Sequence, residues 1–498
     1  MSILLKNGII VNDNERFVGD IFIESGKIVE IGRNIDPKNI SSDFKILNCE
    51  GKYVIPGGID PHTHIQMQGA VFRVADDWFS GTRAAAAGGT TCVIDFVPVN
   101  KGENPSTCLL NWEEVAKKSV IDYSFHMSCV DWNKDSRDAI ELAISHGINS
   151  TKVYLAYKDA LMLDSYKDFL EFFDFCAKHG ILPQVHCEDG DIIPFLQDKL
   201  FNSGETSPSA HPKSRPSYVE ASAVQHCLSM AEAANCPVYI VHNTCEEVIN
   251  IIETCQQRIN TNNEQNHEER NNKFNVFAEC TISHLIFTDE MNNDLDFDIA
   301  AGAILSPPLR KEKDMLALWK ALKRGVIKTI CTDHCPWTLE QKRLGMNDFR
   351  KIVNGVPSIE ERMTLAWSMG VEKGLITPEE YVAATSTNAA KIFGFYPKKG
   401  TIKIGSDADI VIIDPNAKRV ITKSDQFCAA DFNLFEGIEV KGIPVTTISN
   451  GKIIWNCEVI DGIAQYKNGF ITDESQGHFI KRNTFEPYVY SSNKTNKK

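Results

Sequence analysis

Residues 53–64, YVIPGGIDPHTH, place two imidazoles two positions apart at the end of an apolar run. In an extended strand, residues i and i+2 share a face, so His62 and His64 can reach one metal ion together. Neutral imidazole is a common zinc ligand. Pro56, Gly57 and Gly58 should interrupt regular pairing just before the pair and let the backbone come close to its neighbours. For an isolated pair of this kind, two hydrogen-bonded loop histidines are the commoner reading. Other apolar runs, however, carry the same sort of group: Lys152 in STKVYLAY, His186 in VHCEDGD, His242 in IVHN and Asp333 in CTDHCPW. Singly, His186 or His242 would more often be a core histidine. Together, four histidines and an aspartate at strand ends favour a metal centre. Lys152 poses a difficulty, because an ammonium has no lone pair to donate and is repelled by cations. It is either a structural lysine elsewhere or chemically changed.

These residues need a scaffold that brings several strand ends together. Strand-like runs occur at 53–60, 90–97, 122–130, 150–157, 181–187, 237–242, 274–280 and 326–333, and helix-like segments alternate with them. That rhythm predicts an α/β fold, a (β/α)8 TIM-like barrel with buried parallel strands and its site at the C-terminal strand ends. A doubly wound open sheet is the competing architecture. The chain ends read differently: residues 3–50, 400–415 and 440–455 are short β-type runs with Asn, Gly and Asp turns. They predict a small β-sandwich domain built from 1–52 and 398–460, around a barrel spanning 53–397. Residues 461–498 form a C-terminal extension whose last residues are expected to be disordered, although FEPYVY keeps aromatics for packing. The polar, Asn-rich segment 256–273 reads as an exposed loop or helix extension without a catalytic role, with His267 in solvent.

At 498 residues and 43% hydrophobic, the chain can bury a large core. Its 52 basic and 66 acidic residues give a formal charge of −14, so no basic field exists to hold nucleic acid or an anionic membrane. The fifteen cysteines lack paired short spacings, and several fall in expected buried strands, which suits reduced thiols. The amino terminus has no signal-peptide pattern, and no segment is apolar enough to span a membrane. A cytoplasmic location is therefore expected.

With these motifs in hand, the sequence resembles the dihydropyrimidinase and hydantoinase branch of the cyclic amidohydrolases over residues 4–490. The resemblance is carried by GGIDPHTH, DDWFSGTRAAAAGGTTCVIDFV, TKVYLAYK, VHCEDGD, HPKSRP, SPPLR, TDHCPW, NGVPSIEER and NAAKIFGFYPKKGTIKIGSDADIVIID. It implies that Lys152 is an N6-carboxylysine, an anionic bridge between two Zn2+ ions in each subunit. One ion would be held by His62, His64, Lys152 and Asp333, the other by Lys152, His186 and His242. Asp333 would act as general base and then acid, and Tyr157 would hydrogen-bond the developing oxyanion, where an ordinary buried tyrosine is the plainer reading. The backbones at Ser306 and Asn354 would read the imide edge of a small cyclic substrate. The implied reaction is hydrolytic ring opening of 5,6-dihydrouracil to N-carbamoyl-β-alanine, and of dihydrothymine, by a homotetramer. D-hydantoinase or allantoinase chemistry is the alternative. A non-catalytic scaffold like the collapsin response mediators is a remote one, since those relatives have lost metal ligands that stand here. His334 is expected to be structural; His211 and His284 stay unassigned. The segment 65–75, IQMQGAVFRVA, and the stretch after His242 depart from the family pattern and leave the exact ring open.

Overall fold

The computed structural model describes residues 2–36, 44–69, 72–265 and 273–485. Its centre is a parallel barrel of eight strands that neighbour one another in strict chain order. These are Gly58–Thr63, Thr90–Val97, Asp122–Ser128, Ser150–Tyr154, Leu182–His186, Val238–Ile240, Val276–Thr281 and Thr329–Cys331. Backbone hydrogen bonds just beyond the last strand close the ring: Asp333 N donates to His62 O at 3.0 Å, and His64 N to His334 O at 2.9 Å. The Thr332 hydroxyl donates to Asp60 across the same seam at 2.6 Å. Apart from Tyr154 at the end of the fourth, the strands are buried along their lengths, as expected of a parallel sheet covered by helices.

The covering helices start and stop where local chemistry directs. Asp77 and Ser80 form a reciprocal capping box before Trp78–Ala87, and Ser165 caps Tyr166–His179, which ends at the left-handed Gly180. Glu312–Arg324 begins with Glu312 and Asp314 and ends with Lys323 and Arg324, matching the helix dipole.

Both chain ends meet in a second, sheet-rich domain, a single hydrogen-bonded sheet of eleven strands. The run expected as one strand over 53–60 is divided between the two sheets. Tyr53–Pro56 pairs with Ile9 and Ile10 and with Ile410 to Ile413 in the outer sheet, while Gly58–Thr63 opens the barrel. Gly57 makes the transfer, pressed so close to Thr91 that a Cβ would lie 2.1 Å from its hydroxyl oxygen. Only glycine fits there.

The segment 256–273 is helical through Gln265, as the last part of Glu246–Gln265. Within it Ile259 is buried, and Gln256 bridges the Val276 and Val326 carbonyls at 3.0 and 3.2 Å. Residues 266–272, including His267, lie outside the described residues, as do residues 486–498, on which the expected disorder falls. The preceding stretch runs beneath the barrel. His478 and Ile480 hydrogen-bond both backbone groups of Tyr123 at 3.0 and 2.7 Å. Arg482 is buried against the starts of the third and fourth strands. All fifteen cysteines are free thiols, and no helix among the described residues is long and apolar enough to cross a membrane.

Candidate active site

Six residues of the expected ligand set converge at the C-terminal mouth of the barrel. His62 lies in the first strand, with His64 just after it; Lys152 lies in the fourth; His186 ends the fifth; His242 and Asp333 each follow the sixth and eighth by two residues. Asp333 Oδ1 lies 3.0 Å from His62 Nε2 and 3.1 Å from His64 Nε2. Lys152 Nζ is 3.1 Å from His62 Nε2 and sits over the Phe96 ring. His186 Nδ1 faces His242 Nε2 at 2.9 Å. The side chains of His64 and Asp333 are 13% and 15% exposed while His62 is sealed, so the site opens to solvent between the first pair.

Carboxylates behind the ligands fix which ring nitrogens face inward. Glu279, on the seventh strand, accepts from His62 Nδ1 at 2.5 Å, which turns Nε2 towards Lys152 and Asp333, where it would face a cation. Glu188 accepts from His186 Nε2 at 2.9 Å and is paired with Arg215 at 2.5 Å, so His186 turns its Nδ1 lone pair towards His242. His242 Nδ1 is buried without a hydrogen-bond partner. Asp95 takes bonds from Thr63 Oγ1, Ile65 N and Trp112 Nε1 and anchors the chain on either side of His64. Glu279, Glu188 and Asp95 were not assigned from sequence. The signal was available in Glu279 and Asp95, each a carboxylate inside an otherwise apolar strand.

The charge states suit metal binding. Burial lowers His64 to about 4 despite Asp333 beside it, and burial likewise lowers His186 and His242, so these rings stay neutral with lone pairs to give. Burial alone would raise Asp333, but His62 and His64 hold it well below the usual carboxylate range, as an anion. Burial lowers Lys152 to about 8. Inward lone pairs, an anion and an unpartnered imidazole nitrogen form a donor set that fits cations. Two further clusters do not. Lys399 already neutralises Asp122, Asp407 and Asp409. In the group Asp76, His334 and Cys428, both His334 nitrogens are engaged, Nε2 with Asp76 at 3.0 Å and Nδ1 by the Ser358 amide at 3.1 Å.

Three site residues hold left-handed backbone conformations that non-glycine residues rarely adopt: Tyr157 at φ 60°, His242 at 38° and Asp333 at 52°. Each lies where the chain turns out of its strand over the barrel mouth. The Tyr157 ring packs on His186 at 5.3 Å, and burial raises its phenol, with Arg215 opposing, so it remains a proton donor. Ser306 lies beside that phenol. Asn354 is joined to the same region through its neighbour, as Gly355 N donates to Ile304 O at 3.0 Å. The Asn354 carbonyl already accepts from the Trp337 indole at 2.9 Å.

The comparisons agree with this geometry. The model for "Amidohydrolase family" matches residues 53–454. A relative named dihydropyrimidinase 2 from Caenorhabditis briggsae is 40% identical, covering 91% of this chain and 85% of its own. A D-hydantoinase from Ralstonia pickettii is 36% identical, covering 98% and 100%. The solved dihydropyrimidinase from Brevibacillus agri superposes with a TM-score of 0.88 at 35% identity, over 98% of this chain and 100% of that one. With the matched region spanning the barrel and reaching the strands that flank it, the chain belongs to the amidohydrolase family.

Proposed function

We propose that this hydrolase of cyclic amides opens 5,6-dihydrouracil to N-carbamoyl-β-alanine, and dihydrothymine to its methyl homologue. The observation that carries this reading is the convergence of His62, His64, Lys152, His186, His242 and Asp333 at one barrel mouth, in a chain whose relatives include dihydropyrimidinases. The proposed cofactor is two zinc ions per subunit, which His62, His64, His186, His242, Asp333 and Lys152 carboxylated on Nζ would hold. The amine nitrogen attacks the carbon of CO2 and loses a proton, and the resulting carbamate resolves the conflict between an ammonium and cations. An amine lowered to about 8 has a far larger neutral fraction near physiological pH than an ordinary lysine, which supports this. When bound, the metals supply Lewis acidity towards water and the ring carbonyl.

The chain's own groups do the rest. Asp333 takes the proton from the attacking water and returns it to the departing ring nitrogen. Tyr157, kept protonated by burial, donates to the oxygen that gains charge. The backbones at Ser306 and Asn354 read the imide edge and set the ring's orientation. The family resemblance further supports a homotetramer, testable by light scattering of the purified protein, and the free, mostly buried thiols suit a cytoplasmic location.

Hydantoin hydrolysis is the second reading, favoured by the D-hydantoinases at 36–39% identity. Steady-state hydrolysis of dihydrouracil, dihydrothymine, hydantoin and allantoin, before and after chelation, separates them. The expected result is chelator-sensitive turnover with the highest kcat/KM on dihydrouracil. A higher value on hydantoin or allantoin moves the substrate assignment, and zinc-bound protein that opens none of the rings removes the enzymatic reading.

A further inference from the structure

Residues 304–307 lead into SPPLR and are held by side chains from three separate elements. His211, in the short helix Ala210–Ser214, donates from Nε2 to Leu305 O at 2.9 Å. His284, in Ile282–Ile286, donates from Nε2 to Pro307 O at 3.0 Å. Lys342, in Leu339–Arg343, donates to Ile304 O and to Val353 O, each at 3.1 Å. All three side chains are at least 97% buried. The carbonyls on both sides of Ser306 are therefore pinned, and Lys342 joins that segment to the one carrying Asn354.

From this geometry we infer that His211 and His284 are positioning residues for substrate binding, a clamp that fixes the Ser306 backbone against the ring. The inference rests on the proposed reading of the imide edge by Ser306. A carbonyl can only accept, so each imidazole must carry its proton on Nε2. Both rings are neutral at pH 7, since burial lowers His211 to about 3 and His284 to about 4. Thr281 Oγ1, 2.7 Å from His284 Nδ1, completes that tautomer by donating to it. Each histidine thus presents a single N–H in one direction, without a charge that would compete with the metal centre. His211 also shares its motif, HPKSRP, with Arg215, which pairs with the carboxylate that orients His186. One short motif therefore braces both the ring-reading segment and a metal ligand.

The test compares His211→Leu and His284→Leu with His211→Gln and His284→Gln in the zinc-loaded protein. Glutamine places an amide N–H close to where imidazole Nε2 lies; leucine removes it. Four quantities are read: kcat, KM for dihydrouracil, zinc per chain, and hydrogen–deuterium exchange of the peptide spanning residues 300–310. Loss of one buried hydrogen bond corresponds to a rise of about tenfold or more in KM. The expected result for leucine is that rise, with kcat within about threefold, unchanged zinc and faster exchange over the peptide; a KM rise at fixed kcat marks lost ground-state binding. The glutamine variants should return KM and exchange towards those of the parent. If exchange and KM stay unchanged in both leucine variants, the clamp is overturned and ring reading by Ser306 is untouched. Faster exchange with an unchanged KM overturns the reading by Ser306 and, with it, the clamp's role in binding. Loss of zinc and of kcat at constant KM would assign these histidines to the metal centre and overturn the proposal.

Discussion

Two of the proposed metal-facing histidines, His62 and His186, depend on a carboxylate behind them, and His62 shows this most directly. Its Nε2 can face inward only while Glu279 accepts from Nδ1, so Glu279→Gln should weaken metal retention by about 10–100-fold while preserving the fold. Zinc content after dialysis against graded chelator measures this, and unchanged retention would show that the contact is incidental. Lys152 carries a pH prediction. Its lowered value of about 8 means that, at fixed dissolved CO2, the neutral fraction of the apoprotein's amine rises about tenfold per pH unit below 8 and levels off above it. Reactivation of metal-free protein by zinc and CO2 should follow that curve. A rate still climbing steeply from pH 8.5 to 9.5 would argue that the amine is not the buried one. The proposed metal ligands other than Lys152 were legible in sequence because they are polar residues ending apolar runs. Glu279 was missed because it sits inside its run, and its partner His62 is distant in sequence and meets it only when the barrel closes.

At the scale of elements, the eight barrel strands were readable because each is a short apolar stretch bounded by turn residues and long enough to bury. The exchange between sheets at Gly57 was only half legible, since Pro56, Gly57 and Gly58 signal an interruption but not that the chain leaves one sheet for the other, which the strand pairing and the Thr91 contact show. The path of residues 474–485 was equally hidden. It has no periodicity because it is held by single contacts, chiefly through Arg482. That guanidinium donates to Asn149 Oδ1 at 2.6 Å, to the Ser124 and Ser150 hydroxyls at 3.0 Å each, and to Phe125 O. Arg482→Ala strands several of these acceptors and should cost about 2–4 kcal/mol of stability. The contacts lie at the strand starts, opposite the catalytic mouth, so kcat/KM of the folded fraction should stay unchanged. Thermal unfolding alongside kinetics at low temperature checks both, and a drop in kcat/KM without loss of stability would reverse the assignment.

At the scale of the whole molecule, the buried cation Lys399 ties the barrel to the outer sheet. Lys399 lies 2.5 Å from Asp122 at the start of the third barrel strand and 3.1 Å from Asp407, and it also contacts Asp409, which leads into the outer sheet. Burial disfavours its charge, but Asp409 and Asp122 hold it protonated well above the ordinary lysine value. Lys399→Met would leave Asp122 and Asp409 buried together without their cation, while Asp407 keeps Lys27 at 2.6 Å, and breaking a buried pair in this way costs about 3–5 kcal/mol. The pH dependence of that loss has a definite sign. Without the cation, burial and mutual repulsion raise the folded-state values of Asp122 and Asp409 above their unfolded ones. The native variant then binds more protons than its unfolded chain, so its stability falls as pH rises and recovers as pH drops. The deficit relative to the parent should be largest near pH 7 and shrink towards pH 5, as read by melting temperature across that range. A deficit independent of pH would mean that Lys399 contributes through packing alone, and that the two sheets are held together by their apolar contacts.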